Sequence, residues 1–305
     1  MIRTISIAAM LLTLIAEVPA RGAGFVRKED VIYGRKYGLA MTMDVFTPKE
    51  KANGAAVVLV VSGGFFSSHD AINPVFFRPL LDRGYTVFTV VHGSQPKFTV
   101  PEIIADVNRA VRYIRHHAQN FGVDPGRIGA TGASAGGQLS MILGTAGDPG
   151  DPQAKDPVDR ESGRVQAVAC FFPPTDYLNY GGPGRELIRA KDFGRMFRPA
   201  FDYMALDGAS NLWSSIAADD KLREIARKIS PITHVTPDDA PALIYHGDAD
   251  TLVPLQQSEA IVARLQGAGV EARLVVKPGA GHGWLSMTKD MEAFADWFDA
   301  HLKAK

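Results

Sequence analysis

The chain has 305 residues, of which 46% are hydrophobic and 22% charged, and its 33 Lys+Arg balance its 33 Asp+Glu. This is the composition of a globular protein with a sizeable core, and its length suits one α/β domain. The charge balance excludes the basic footprint of a nucleic-acid binder and leaves no electrostatic reason for an anionic membrane as partner.

Arg3 precedes an apolar run from Ile5 to Ala16, which Glu17 ends, and Val18-Pro19-Ala20 follows with small residues. That layout predicts a secretory signal peptide over residues 1–20 and a single domain over 21–305. The run is too short to span a bilayer comfortably. Cys170 is the only cysteine, so neither an internal disulfide nor a lipid-bearing cysteine after the run is available. The expectation is a secreted or periplasmic protein with no membrane anchor after cleavage.

Residues 26–46 alternate, with Met41, Met43 and Val45 on one side and Thr42 and Asp44 on the other, which predicts two antiparallel strands. Residues 55–61 and 84–91 are continuous apolar runs, as in strands buried on both faces. From 99 to 121 the period becomes helical. Thr99 and Glu102 resemble a capping box, Ile104, Val107, Val111 and Ile114 share a face, and Gly122 closes the helix. Asp124-Pro125-Gly126 turns into a strand over 127–131, and a helix is expected over 137–143. Residues 165–172, 242–245 and 272–276 read as buried strands, and 255–267 and 287–302 as helices. The alternation predicts an α/β fold, a mostly parallel central sheet with helices on both faces. Two stretches stand outside it. Residues 147–163 are polar and read as an exposed loop, and residues 176–231, with helical pieces rich in aromatics and methionine, read as a helical lid insertion.

Three segments carry chemistry. Gly132-Ala133-Ser134-Ala135-Gly136 lies between a strand and a helix, where a sharp turn lifts the central hydroxyl above the sheet and the helix N-terminus faces developing negative charge. Its glycines match neither G-x-G-x-x-G nor a phosphate loop. Next, Tyr245-His246-Gly247-Asp248-Ala249-Asp250 follows a buried strand, and either aspartate suits the acid of a triad; His246 reads as a polar strand end. Third, Gly281-His282-Gly283-Trp284 follows the last strand, on a small-residue loop that lets the imidazole reach the serine. Serine, aspartate and histidine then occur in the order used by α/β-hydrolases. An oxyanion hole needs one N–H from the residue after the nucleophile, Ala135, and one from a loop after an early strand, which Ser62-Gly63-Gly64-Phe65-Phe66 supplies at Gly64 or Phe65.

These motifs, with Asp124-Pro125-Gly126-Arg127-Ile128, Ser230-Pro231-Ile232-Thr233 and Val253-Pro254, resemble the bacterial esterase/lipase group of α/β-hydrolases. That group includes relatives of hormone-sensitive lipase, acetylxylan and feruloyl esterases, and prolyl-oligopeptidase catalytic domains. The resemblance runs from about residue 40 to the C-terminus. It implies that the acid is the fourth residue after the His-Gly histidine, which selects Asp250 over Asp248. With Ser134 read as nucleophile and His282 as base, and with export read from the N-terminal pattern, it implies a serine carboxylic-ester hydrolase acting on short-chain or aryl esters, including acetyl or feruloyl groups on polysaccharide. At the oxyanion strand the chain departs from the group, with Ser62 in place of the usual histidine.

Phe65, Phe66 and Trp284, with the aromatics of the 176–231 insertion such as Phe193, Phe197 and Phe201, are expected to line a narrow apolar cleft, against the alternative that most of them form the lid's own core. No cofactor or metal is expected; His116 and His117 are adjacent on a helix and point in different directions. The rival expectations are a prolyl-oligopeptidase-like peptidase, for whose propeller the chain has no room, and a hydrolase-fold binding protein without catalysis.

Overall fold

The computed structural model describes residues 24–303, so the expected signal peptide over 1–20 lies outside the described residues. The chain opens with the antiparallel pair β1 (Phe25–Lys36) and β2 (Leu39–Pro48). β3 (Ala56–Val61), a short helix α1 (Arg78–Asp82) and β4 (Thr86–Val91) follow. The helical stretch at 99–121 is two pieces, α2 (Val100–His116) and the single turn α3 (Ala118–Phe121), ended by Gly122 in the left-handed region. The Glu102 carboxylate accepts from the Thr99 N–H at 2.8 Å and anchors the start of α2. Then come β5 (Ile128–Ala133), α4 (Ala135–Thr145), β6 (Ala167–Phe171), the hairpin β7 (Met204–Leu206) and β8 (Trp213–Ser215), and α5 (Asp219–Ile229). β9 (Ala242–Gly247), α6 (Gln256–Gly267), β10 (Ala272–Lys277) and α7 (Met287–Leu302) complete the described chain.

Eight strands form one sheet in the order β1-β2-β4-β3-β5-β6-β9-β10, antiparallel up to β4 and parallel from there on. Alternate residues of each inner strand feed two cores. Val58 and Val60 of β3 belong to the core on one face, with Ile103, Val107 and Val111 of α2 and Ile261 and Leu265 of α6. Val57 and Leu59 belong to the core on the other, with Leu80 of α1 and Phe294 and Phe298 of α7. This two-sided burial is why β3 and β4 are continuous valine-rich runs, each fully buried large apolar side chain contributing roughly 1.5–3 kcal/mol. Helix α4 is buried along its whole length, which accounts for its small and apolar composition on every side. The architecture is the α/β-hydrolase fold. No helix among the described residues is long and apolar enough to cross a membrane.

Three expectations need correcting. β10 pairs only with β9 and is the sheet edge, so residues 272–276 are half-exposed rather than buried on both faces. Asp44, expected on a polar side, is fully buried. It accepts from Arg27 at 2.6 Å and faces His69 at 3.2 Å, because the connection after β3 brings His69 over that face of β2. The 176–231 insertion is helical only in part: its helical content is single 3-10 turns and α5, and its middle is the β7–β8 hairpin. The polar stretch at 147–163 is largely exposed, and is tied to α2 by Arg109 to Asp156 and Asp159 and by Arg112 to Asp148.

Candidate active site

Ser134 stands between β5 and α4 with φ at +56°, a conformation that L-residues rarely adopt. The turn is tight enough that a Cβ on Gly132 would lie 2.5 Å from the Gly136 carbonyl oxygen, and one on Gly136 would lie 2.6 Å from that of Val60. Both positions therefore require glycine. The backbone around Ser134 is pinned, its N–H donating to the Phe171 carbonyl at 3.0 Å and its carbonyl accepting the Gln138 N–H at 2.9 Å. What remains free is the hydroxyl, which lies 2.8 Å from His282 Nε2.

His282 Nδ1 lies 2.7 Å from Asp250 Oδ2, so hydroxyl, imidazole and carboxylate form one hydrogen-bonded chain. Asp250 Oδ1 accepts the N–H groups of Leu252 and Val253, both at 2.9 Å, which fixes the plane of the carboxylate. Burial pushes the Asp250 carboxyl up, but hydrogen bonds from His246, His282 and the Val253 N–H, with the charge of His282, hold it well below the usual carboxylate range. Asp248 stands apart from this chain. Its Oδ1 accepts the Gly279 N–H at 2.6 Å, and the Ala249 N–H donates to the Ala280 carbonyl at 2.9 Å, so it helps lace the aspartate loop to the histidine loop. His246, expected as a polar strand end, is fully buried, held at 2.6 Å by Ser258 Oγ and 2.8 Å by the Val253 carbonyl.

The 62–66 segment is a tight reverse turn. Gly63 and Phe66 exchange both backbone hydrogen bonds at 3.0 Å, and the residues between them, Gly64 and Phe65, have φ of +54° and +66°. Positive φ at both central positions defines a type I′ turn. The N–H groups of Gly64 and Phe65 find no acceptor among the described residues, nor does the Ala135 N–H in the first turn of α4. A Cβ on Gly64 would meet the Phe197 ring of the insertion at 2.5 Å, so the insertion closes over this turn.

Phe65, Phe66 and Trp284, the expected cleft aromatics outside the insertion, fare differently. The Phe65 ring is 4% exposed and packs edge-on against Phe201 with centroids 5.4 Å apart. As a substrate contact it is corrected: the insertion buries it, and the residue keeps only its backbone N–H for the site. Phe65→Ala is therefore expected to cost about 3–5 kcal/mol of stability, whereas Phe66→Ala, at a residue 45% exposed, should stay within about 0.5 kcal/mol; urea unfolding curves of the two variants measure the difference. Trp284 is half-buried, its indole N–H donating to Asp290 at 2.5 Å and its ring edge-on to Phe171 and Phe172. Phe172 escaped the sequence reading, whereas Phe197 is one of the insertion aromatics expected at the cleft. Phe172, at φ +35°, lays its ring 4.4 Å from that of His282, and Phe197 walls the turn at Gly64. The only sequence signal for Phe172 is its place just beyond β6, the strand beside the one that carries the serine. His116 and His117 have separate partners, Glu161 and the Tyr113 carbonyl.

In such a chain the imidazole can take the hydroxyl proton while the carboxylate fixes its tautomer, and two or three free N–H groups can meet a developing oxyanion. Comparison with known proteins adds the following. The family model described as BD-FAE matches residues 43–265, more than half of the chain. The probable carboxylic ester hydrolase LipM of Mycobacterium tuberculosis is 29% identical over 245 residues, covering 78% of this chain and 51% of that protein. The chain spans about half the length of the curated relatives it matches. Among solved structures, a truncated carbohydrate esterase from gut microbiota has a TM-score of 0.71 and 26% identity, covering 92% of this chain and 99% of that one. A bifunctional GH43-CE protein of Bacteroides eggerthii has a TM-score of 0.67 and 27% identity, covering 89% of this chain and 38% of that one.

Proposed function

The chain belongs to the BD-FAE family, and from that premise we propose that it is an exported serine carboxylic-ester hydrolase that works through an acyl-enzyme on short-acyl or aryl esters, including esters borne on polysaccharide. The observation that carries the reading is the hydrogen-bonded series Ser134–His282–Asp250 at 2.8 and 2.7 Å, with the serine held at positive φ.

The reaction follows from those contacts. His282 Nε2 accepts the Ser134 proton as Oγ attacks the ester carbonyl carbon, and Asp250 keeps the other ring proton on Nδ1. The carbonyl oxygen, now anionic, is met by the N–H groups of Ala135 and of Gly64 or Phe65. Collapse breaks the bond to the alcohol oxygen, which leaves with the proton from His282. Water then attacks the acyl-serine, giving its proton to the same nitrogen and releasing the acid and free Ser134. The sequence of steps uses no metal or cofactor.

The substrate class rests on two supports. One is the carbohydrate esterase from gut microbiota, whose substrate class is carried over here as a proposal. The other is the Phe197 ring of the insertion, which stands close against the turn at Gly64 and is read here as crowding out an extended acyl chain. Export rests on the N-terminal residue pattern alone. A panel of p-nitrophenyl esters of increasing acyl length, with acetylated and feruloylated sugars, tests the reading. Acetyl to butyryl esters and sugar esters are expected to give the highest kcat/KM. Highest activity on long-chain lipid emulsions, or cleavage of peptide amides in preference to esters, would overturn it.

A further inference from the structure

We propose that Gln95 is a positioning residue for this reaction: its side-chain amide holds the Gly64 carbonyl and thereby aims the Phe65 N–H at the oxyanion. The inference rests on the esterase reading above and adds to it the device that sets one donor of the oxyanion hole.

A trans peptide is planar, so its C=O and the N–H of the next residue point in opposite directions. Whatever holds the carbonyl of one residue therefore aims the N–H of the next. In the turn at 63–66 each carbonyl is held by a different partner. The Gly63 carbonyl accepts the Phe66 N–H at 3.0 Å, which sets the direction of the Gly64 N–H. The Phe65 carbonyl accepts the backbone N–H of Gln95 at 3.1 Å. The Gly64 carbonyl accepts from Gln95 Nε2, the one bond in the set made by a side chain.

That central peptide is the unit most in need of a partner. With φ positive at both Gly64 and Phe65 the turn is type I′. Flipping the Gly64–Phe65 peptide converts it to type II′, in which glycine is equally at ease at the first position and the second takes a negative φ. A phenylalanine at the second position favours the flip, because positive φ is costly for a bulky residue. The flip would turn the Phe65 N–H to the side where its own carbonyl neighbour now points. The Gln95 amide opposes it by rewarding only the type I′ orientation.

The surroundings suit this role. Gln95 is 3% exposed, and its Oε1 has no partner among the described residues. An apolar side chain of equal length would leave no orphan acceptor, so what the amide contributes is its donor. The segment that carries it is itself fixed. The Gly93 N–H donates to Asp106 at 2.9 Å, the His92 N–H to Ser67 Oγ at 3.2 Å and the Ser67 N–H to Ser94 Oγ at 3.3 Å.

The test uses Gln95→Met, which keeps length and loses the donor, and Gln95→Glu, which sets an acceptor against the Gly64 carbonyl until it is protonated. Loss of a whole oxyanion donor costs about 10²–10³ in kcat, so misaiming one is expected to lower kcat roughly 10–100-fold in Gln95→Met, with KM within about twofold. Affinity for a trifluoromethyl ketone, which loads an oxyanion into the hole, should fall by the same factor as kcat/KM per phosphonate-titrated site. Gln95→Glu should recover relative to wild type as pH is lowered, because a protonated carboxyl regains a donor, and Gln95→Met should not. Unchanged kcat and ketone affinity in Gln95→Met, or a loss of titratable sites with ketone affinity per site unchanged, would overturn the proposal while leaving the esterase reading standing. A wild-type chain that neither hydrolyses esters nor takes up phosphonate would overturn the esterase reading itself.

Discussion

Ser134→Ala is expected to lower kcat on p-nitrophenyl acetate by about a million-fold and to leave the thermal unfolding midpoint where it was. The two halves of that expectation have separate physical grounds. The hydroxyl is the atom that attacks, and its only hydrogen bond among the described residues is the 2.8 Å contact with His282, so alanine removes the nucleophile outright. The backbone bonds that build the turn, from the Ser134 N–H to Phe171 and from the Gln138 N–H to the Ser134 carbonyl, do not involve the side chain and survive. Positive φ is paid for by any residue with a Cβ, and alanine adds nothing to a cost serine already bears. Steady-state rates and melting curves on the purified variant measure both. Turnover within tenfold of wild type in a folded Ser134→Ala protein would remove the serine from the mechanism.

A feature is legible in the sequence where the contact that determines it is local. The elbow at 132–136 is set by five consecutive residues, and the string itself carries the two glycines whose Cβ atoms would strike Gly136 and Val60. The inner strands are legible because burial on both faces makes them predominantly apolar runs, with only a few polar side chains such as Thr89, Thr131 and His246 among them. Other features are decided by partners far along the chain. Phe65 and Phe201 stand 5.4 Å apart across more than a hundred residues, and nothing near Phe65 announces that the insertion will cover it. Phe172 reaches His282, and Gln95 reaches Gly64, in the same way. β10 is an edge because no other strand among the described residues pairs with its far side, which its own residues do not encode. Asp44 reads as polar and solvent-facing until Arg27 and His69 arrive to bury it. Within the residues alone Asp248 and Asp250 were equal, being two carboxylates on one loop. What separates them is the direction each faces, one toward the Gly279 N–H and the other toward the imidazole.

That separation gives the second large expected effect: Asp250→Asn should lower kcat by about 10⁴, and Asp248→Asn should be mild. Asparagine at 250 can keep its oxygen on the N–H groups of Leu252 and Val253, which hold the carboxylate plane now, so the loop is retained. Its amide nitrogen then faces His282 Nδ1 where Oδ2 stood at 2.7 Å. Two N–H donors cannot share that contact, and the ring shifts its proton to Nε2, which then offers Ser134 a donor where an acceptor is needed. The pH dependence of stability should change as well. The wild-type carboxyl is held well below its ordinary value, so the stability it supplies is present above about pH 4 and is lost as the pH falls through the folded value. Asp250→Asn should accordingly lose less stability than wild type on acidification. Asp248→Asn, by contrast, keeps the one oxygen that accepts the Gly279 N–H, loses a charge outside the hydrogen-bonded chain, and leaves the tautomer of His282 untouched. Rates for both variants at neutral pH, normalised to phosphonate-titrated sites, rank them directly. A mild Asp250→Asn beside a crippled Asp248→Asn would mean that the carboxylate 2.7 Å from the imidazole is not the one that works with it.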